Sequence, residues 1–238
     1  MLTVAILAGG LASRLGSLSS NNPKALVSVA GKPFIFHQLN FLKLQGIKKV
    51  VICVGHLGEI IENVVGDGSF FNLDIKYSYD GPFLLGTGGA IKKALMLLGN
   101  NFYILYGDTY LKINFSEIED LFFRKSFPAL MTIYKNKNIF DKSNVFYNSG
   151  IIYEYNKKFP NESMEYIDYG VSIVNAEIFD NYELDKNFDI SDVFSYLSIN
   201  NKLAGYEAHE QFYEIGSLPG LKLAESHLSQ LFNQKDRI

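Results

Sequence analysis

The order of short apolar runs along the first 110 residues predicts an α/β layered fold. Three observations carry that reading. Thr3–Leu7, Val50–Val54 and Phe102–Tyr106 are short runs rich in β-branched and aromatic residues, as buried parallel strands are. Segments with helical spacing separate them. Each strand runs into Gly, Asp or a polar loop, the punctuation of an alternating strand–helix chain.

Taken in order, Thr3–Leu7 is a first strand ending at Ala8-Gly9-Gly10. The loop from Gly9 to Lys24 is long, and loops of that length inside a compact domain are usually functional or disordered. Phe34–Gln45 carries apolar residues at helical spacing, and Gly46 stops it. Val50–Val54 is a second strand, Glu59–Val65 a short helix, and Asp74–Tyr79 alternates as a strand does. Gly88–Leu98 places Ile91, Ala94, Leu95 and Leu98 on one helical face. Phe102–Tyr106 closes this half at Gly107-Asp108. Beyond it, Ala129–Tyr134, Gly150–Tyr155, Val171–Val174 and Phe212–Ile215 read as strands. Ile178–Leu184, Ile190–Ile199 and Gly220–Leu231 read as helices. There is no internal repeat and no linker, so residues 1–238 are expected to form one domain, with halves at 1–110 and 111–238.

Composition narrows the classes of function. The chain has 238 residues, 47% of them hydrophobic and 20% charged, enough for a core without disulfide or metal staples. Its 22 basic and 25 acidic side chains leave a net charge of −3, against the basic excess of a nucleic-acid binder. Cys53 is the one cysteine, which excludes an internal disulfide framework. No apolar run approaches the roughly 20 residues of a membrane span. The N-terminus lacks the basic segment of a signal peptide, so a cytoplasmic location is expected. A homo-oligomer is left open.

In open α/β sheets, ligands bind beyond the carboxyl ends of the strands. Ala8-Gly9-Gly10-Leu11-Ala12-Ser13-Arg14 follows the first strand, where glycines let backbone N–H groups approach an anion and Arg14 can grip phosphate. A plain Gly-Gly turn with a surface arginine has the same sequence. Lys24, held by Pro23 on a short tether, suits a phosphate contact. Gly86-Thr87-Gly88-Gly89 forms a small-residue helix start where a base or sugar can lie close; a flexible turn capped by Thr87 is the plainer reading. Asp108, at a buried strand end, can hold Mg²⁺ on nucleotide phosphates, and Glu214 can supply a second oxygen. The Walker P-loop, the dinucleotide fingerprint and the hydrolase elbow are all missing. His37, His56, His209 and His227 lack metal spacing and read as structural or surface residues.

Together Leu7-Ala8-Gly9-Gly10-Leu11-Ala12-Ser13-Arg14-Leu15, Pro23-Lys24, Gly31-Lys32-Pro33, Gly86-Thr87-Gly88-Gly89-Ala90 and Gly107-Asp108 resemble, in order and spacing, the sugar-1-phosphate nucleotidyltransferases. The resemblance runs from residue 1 to about 225 and is strongest to the bacterial D-glycero-D-manno-heptose-1-phosphate guanylyltransferases, with the N-acetylmuramate-1-phosphate uridylyltransferases next. It implies a Rossmann-like three-layer α/β/α nucleotidyltransferase fold with a mixed, mostly parallel central sheet. It implies transfer of NMP from an NTP to a sugar 1-phosphate with release of pyrophosphate, giving an NDP-sugar for surface-polysaccharide synthesis. By position, Leu7 to Ser13, Asp80, Gly86, Thr87, Gly88 and Gly107 would bind nucleotide, and Arg14 and Lys24 would steady phosphate charge. Asp108 and Glu214 would hold Mg²⁺. Gly89, Lys157 (or its neighbour Lys158), Asp168 and Gly170 would take the sugar phosphate. Asp80, able to accept from guanine N1–H and N2–H₂, favours GTP. The alternatives are a uridylyl- or cytidylyltransferase on another sugar or polyol phosphate, and a non-catalytic nucleotide-binding relative. Ala12 and Glu214, where the family has glycine and aspartate, keep the last one open.

Overall fold

A computed structural model describes residues 1–10, 22–136, 138, 139 and 141–235. Its core is a nine-stranded sheet ordered β5-β4-β1-β6-β11-β8-β12-β10-β9. The strands are β1 (Thr3–Leu7), β4 (Lys49–Val54), β5 (Asp74–Tyr79), β6 (Asn101–Tyr106), β8 (Ala129–Lys135), β9 (Val145–Asn148), β10 (Ile151–Tyr155), β11 (Tyr166–Asn175) and β12 (Leu203–Ala208). Two two-stranded pairs stand apart, the hairpin of β2 (Ser28–Val29) with β3 (Lys32–Pro33) and the long-range pair of β7 (Thr109–Tyr110) with β13 (Tyr213–Glu214). The helices are α1 (Phe34–Leu44), α2 (Gly58–Val65), α3 (Gly86–Leu98), α4 (Phe115–Lys125), α5 (Ile190–Ile199) and α6 (Leu218–Lys235).

The pleat sorts the side chains into three layers. Val4 and Ile6 of β1, Val50, Ile52 and Val54 of β4, and Tyr103 and Leu105 of β6 pack with α1, α2 and α4 on one face. Ala5, Val51, Cys53, Phe102 and Ile104 pack with α3 and α5 on the other. Small residues suit that second face, because Ala90 and Ala94 bring α3 close to β1 and β4. A third cluster, Val29, Phe34, Ile215, Ala224 and Leu228, docks α6 on the β2–β3 hairpin.

The four strands β5, β4, β1 and β6 are mutually parallel. β11 enters antiparallel to both β6 and β8, and β10 is antiparallel to β12 and β9. All but these two run the same way, as the mixed, mostly parallel expectation requires. β9 also pairs with β11 through Val145 and Tyr166, so β11, β8, β12, β10 and β9 close on themselves.

The first half follows the expected elements closely. The second half differs in particulars. Ile178–Leu184 is not a helix: a 3₁₀ turn covers Ala176–Phe179 and the chain then turns. Asp180 N and Tyr182 N bond the third residue back, which puts Phe179 and Tyr182 together against the core. Val171–Val174 is the end of a ten-residue strand. α4, β9 and β12 had no counterpart in the sequence reading. Among the described residues, no helix is long and apolar enough to cross a membrane.

Candidate active site

The strands β1, β4, β5 and β6 end level with one another, because Leu7 is in register with Cys53 and Tyr106, and Val54 with Tyr79. Beyond these ends lies a cleft of about 430 Å³. Its wall includes Leu7, Ala8, Gly9, Gly10, Lys24, Asp80, Gly86, Thr87, Gly107, Asp108 and Lys157, all expected from the sequence. Leu11, Ala12, Ser13 and Arg14 lie outside the described residues. Cys53, Leu84, Ala90 and Tyr106 also line the cleft and were missed. Cys53 and Tyr106 lie in runs that read as buried strands, and only strand register shows that the core opens here. Burial pushes the Cys53 thiol up to about 12, so it is an uncharged wall group and no nucleophile.

Close main-chain packing shapes the floor. Gly107 N donates to Leu7 O at 3.1 Å, and a Cβ on Gly107 would meet that oxygen at 2.5 Å. Asp108 follows at once and projects into the cleft. Its Oδ2 accepts from Lys24 Nζ at 2.6 Å, and its Oδ1 from Thr109 Oγ1 at 3.2 Å. Lys24 opens a 3₁₀ turn after Pro23, so the ammonium arrives on a short stiff tether.

Glu214 approaches the same place from β13. Its carboxylate is folded back on the start of α6, accepting from Gly216 N, Ser217 N and Ser217 Oγ. A side chain at Gly216 would fill the gap it leaves. A Cβ there would lie 2.8 Å from Glu214 Oε2, 2.8 Å from Lys24 Nζ and 3.7 Å from Asp108 Oδ2. Two carboxylates therefore converge on one glycine-bounded gap, an oxygen donor set suited to a hard divalent cation. The described residues hold no cluster of three or more His, Cys, Asp or Glu that could bind a metal unaided. Such an ion would draw its remaining ligands from phosphate and water.

Asp80 stands at the opposite end of the cleft. Its Oδ2 accepts from Leu85 N at 3.1 Å, and Lys93 Nζ bonds its carbonyl at 3.0 Å. Burial raises its carboxyl above the ordinary range, against the pull of Leu85 N–H and Lys93.

Gly88 and Gly89 serve a different purpose from the one their sequence suggested. A Cβ on Gly88 would strike the Phe188 ring at 2.3 Å, and one on Gly89 would strike Lys186 O at 2.3 Å. Their N–H groups donate to Phe188 O. They admit the 186–188 segment against α3, and neither lines the cleft. Thr87 does, and its Oγ1 accepts from Ile190 N at 2.9 Å, tying α3 to the start of α5. It does not cap α3.

The second half contributes a charged corner. β11 carries a bulge between Asp168 and Ser172, with Gly170 at φ +112° inside it. The bulge aims Asp168 at the end of β6. Its Oδ1 accepts from Gly170 N at 3.0 Å and its Oδ2 from Tyr106 Oη at 3.1 Å. Burial raises Asp168 to about 6, despite Gly170 N–H, the Tyr106 hydroxyl and the charge of Lys157. Asp168 and Gly170 thus sit behind Tyr106 rather than on the cleft surface. Asp189, which the sequence reading missed, caps α5 by accepting from Ser191 N at 2.8 Å. Burial pushes it up, yet Ser191, Lys157 and Thr87 outweigh that and hold it below the usual carboxylate range. Lys157 lines the cleft, whereas Lys158 Nζ is taken by Asp192 at 2.6 Å on an exposed surface.

This arrangement is that of a nucleotide-handling α/β enzyme, and comparison with known proteins agrees. Residues 3–218 match the nucleotidyl transferase family. The D-glycero-alpha-D-manno-heptose 1-phosphate guanylyltransferase of Campylobacter jejuni is 32% identical over 190 residues, covering 79% of this chain and 82% of the relative. The protein of the same name from Aneurinibacillus thermoaerophilus is 31% identical over 229 residues, covering 94% and 96%. The N-acetylmuramate alpha-1-phosphate uridylyltransferase of Neisseria meningitidis is 41% identical over 112 residues, 47% of this chain and 48% of its own. HddC from Yersinia pseudotuberculosis, solved in complex with GMP-PN, shares the fold, with a TM-score of 0.80 at 23% identity over 96% of this chain and all of that one.

The chain belongs to the nucleotidyl transferase family. Within it, the chain falls with the sugar-phosphate nucleotidyltransferases.

Proposed function

We propose that this enzyme transfers a nucleoside monophosphate from an NTP to a sugar 1-phosphate, with GTP the favoured donor and a heptose 1-phosphate the favoured acceptor. The observation that carries the reading is the Lys24–Asp108 pair, 2.6 Å apart at the mouth of a glycine-walled cleft. The two guanylyltransferase relatives support it over most of the chain.

The chemistry is a problem of charge. A sugar phosphate must approach an α-phosphate that is already anionic, in line with the departing pyrophosphate. The protein must therefore supply cations, donors and orientation. Gly9 and Gly10 offer main-chain N–H groups to the triphosphate. Lys24 places its ammonium beside the phosphates. Arg14 takes its phosphate role from the motif alone. Asp108 and Glu214 are the residues that would hold Mg²⁺, which when bound neutralises charge on phosphate oxygens. Lys157 steadies the acceptor phosphate, with Asp168 behind it holding the Tyr106 hydroxyl and Asp189 capping α5. No residue is needed as a general base, because a phosphate whose second pKa is about 6 is deprotonated near neutrality.

Asp80 supports the choice of base. A carboxylate on the cleft wall can accept from both N1–H and N2–H₂ of guanine, whereas uracil presents a single N–H. The uridylyltransferase relative, more similar over its shorter match, favours UTP as the second reading.

The test is pyrophosphate release with Mg²⁺ across four NTPs and a panel of heptose, mannose, glucose and N-acetylated sugar 1-phosphates. Turnover is expected with GTP and a heptose 1-phosphate. Turnover with UTP and an N-acetylated sugar would replace that assignment. NTP binding without turnover on any acceptor would make the chain a non-catalytic relative.

A further inference from the structure

We propose that Gln38 is a positioning residue that sets the place of Asp108; the proposal rests on reading Asp108 as a metal-bearing carboxylate. Gln38 lies on α1, 1% exposed, and does not itself line the cleft. Its Nε2 donates to Tyr106 O at 2.9 Å and to Thr109 O at 2.8 Å. Those two carbonyls bracket Gly107-Asp108. Both only accept, so the amide has one possible orientation. Its Oε1 is left buried, with no hydrogen-bond partner among the described residues.

An orphaned acceptor in a core is costly, and a hydrocarbon side chain of the same length would avoid it. The amide's two N–H bonds are what it offers in exchange, and both are spent on the turn that presents Asp108. Two further anchors of that turn's backbone are main-chain bonds. Gly107 N bonds Leu7 O at 3.1 Å, and Ile215 N bonds Asp108 O at 3.0 Å. Gln38 is thus the side-chain anchor among three.

The residue before it acts on the other partner. His37 Nε2 bonds Val29 O at 2.7 Å, in the strand that follows the Lys24 turn. Successive side chains of α1 therefore fix the main chain on both sides of the Lys24–Asp108 pair.

The experiment compares the wild type with Gln38→Met, Gln38→His and Asp108→Asn. Met keeps the length and loses both donors, while the His ring keeps one N–H at similar reach. Mn²⁺ is titrated into each protein saturated with a non-hydrolysable GTP analogue, and its binding to the complex is read by electron paramagnetic resonance. Melting temperature, kcat and KM for the NTP are measured alongside. Gln38→Met is expected to weaken Mn²⁺ binding and lower kcat by about 10–100-fold, as loss of a group orienting a metal ligand does. The KM for NTP should move by less than about threefold, since Gln38 does not itself line the cleft. Gln38→His is expected to fall between the two, and it decides the matter if the Met variant does not fold. Wild-type Mn²⁺ affinity in folded Gln38 variants, with Asp108→Asn impaired, would overturn the role of Gln38. So would a loss of activity that only tracks a loss of folded protein. Wild-type Mn²⁺ binding in Asp108→Asn would instead overturn the underlying reading of Asp108.

Discussion

The parallel half of the sheet and the closed half meet the cleft in different ways. From β5 to β6 the wall is main chain at four level strand ends, with glycines where the backbone must come close. Beyond β6 the contribution is the side-chain charge of Lys157, on the chain after β10, with Asp168 of the β11 bulge set behind the wall under Tyr106. A backbone wall suits what every nucleotide shares. A lysine on a loop can be exchanged without touching that backbone, which suits Lys157 to the choice of acceptor.

The largest effect should come where the halves share a group. Asp108→Asn is expected to reduce pyrophosphate release in Mg²⁺ by about 10²–10³-fold, as removing a preorganised electrostatic contact does, with an unchanged melting curve. Activity near the wild-type level would break the comparison at its centre. Lys24→Ala should lose up to a similar factor, about 2.7–4 kcal/mol, while the exposed Lys48→Ala stays at wild-type turnover. Equal losses in the two would remove Lys24 from the triphosphate site.

A smaller and more selective effect is expected from the closed half. Lys157→Ala should raise KM for the sugar phosphate by roughly tenfold, in line with a lost charged hydrogen bond, and leave KM for the NTP in place. Lys158→Ala, whose ammonium is spent on Asp192, should match the wild type in both.

The smallest effect reads pH. Asp168 is raised to about 6 by burial, so between pH 4 and 6 the folded state holds more protons than the unfolded one. Its burial therefore favours folding at low pH and opposes it increasingly as the pH climbs to 6. Asp168→Asn should melt higher than the wild type by a margin that grows over that window and levels off above it, worth up to about 3 kcal/mol.

The same contrast explains what could be read from the residues. β1, α1, β4, α2, β5, α3 and β6 each carry their own periodicity and stop, and their strand ends define the floor of the cleft. α4 was legible and overlooked: Asn114 caps it, and Phe115, Ile118 and Phe122 form its buried stripe. β12 was not legible, because Leu203–Ala208 has no β-branched residue and is a strand through its pairing with β8. Its Gly205 makes room for the Tyr147 ring of β9, a contact no local pattern reports. Gly88 and Gly89 were noticed for the wrong reason, since a glycine required by packing and one required by a ligand look alike in one dimension. Asp189 was hidden as an ordinary helix cap.

The insertion of β11 between β6 and β8 has a consequence for how the chain is made. When Tyr106 has left the ribosome, β6 has one neighbour and an open edge. The strand that covers it ends at Asn175, about 70 residues later, and the α5 partner of α3 ends at Ile199. At about 5–20 residues per second, that edge stays bare for roughly 4–14 s of synthesis. The nascent first half is thus the stage at which this enzyme is most open to chaperones and to pairing with the wrong strand.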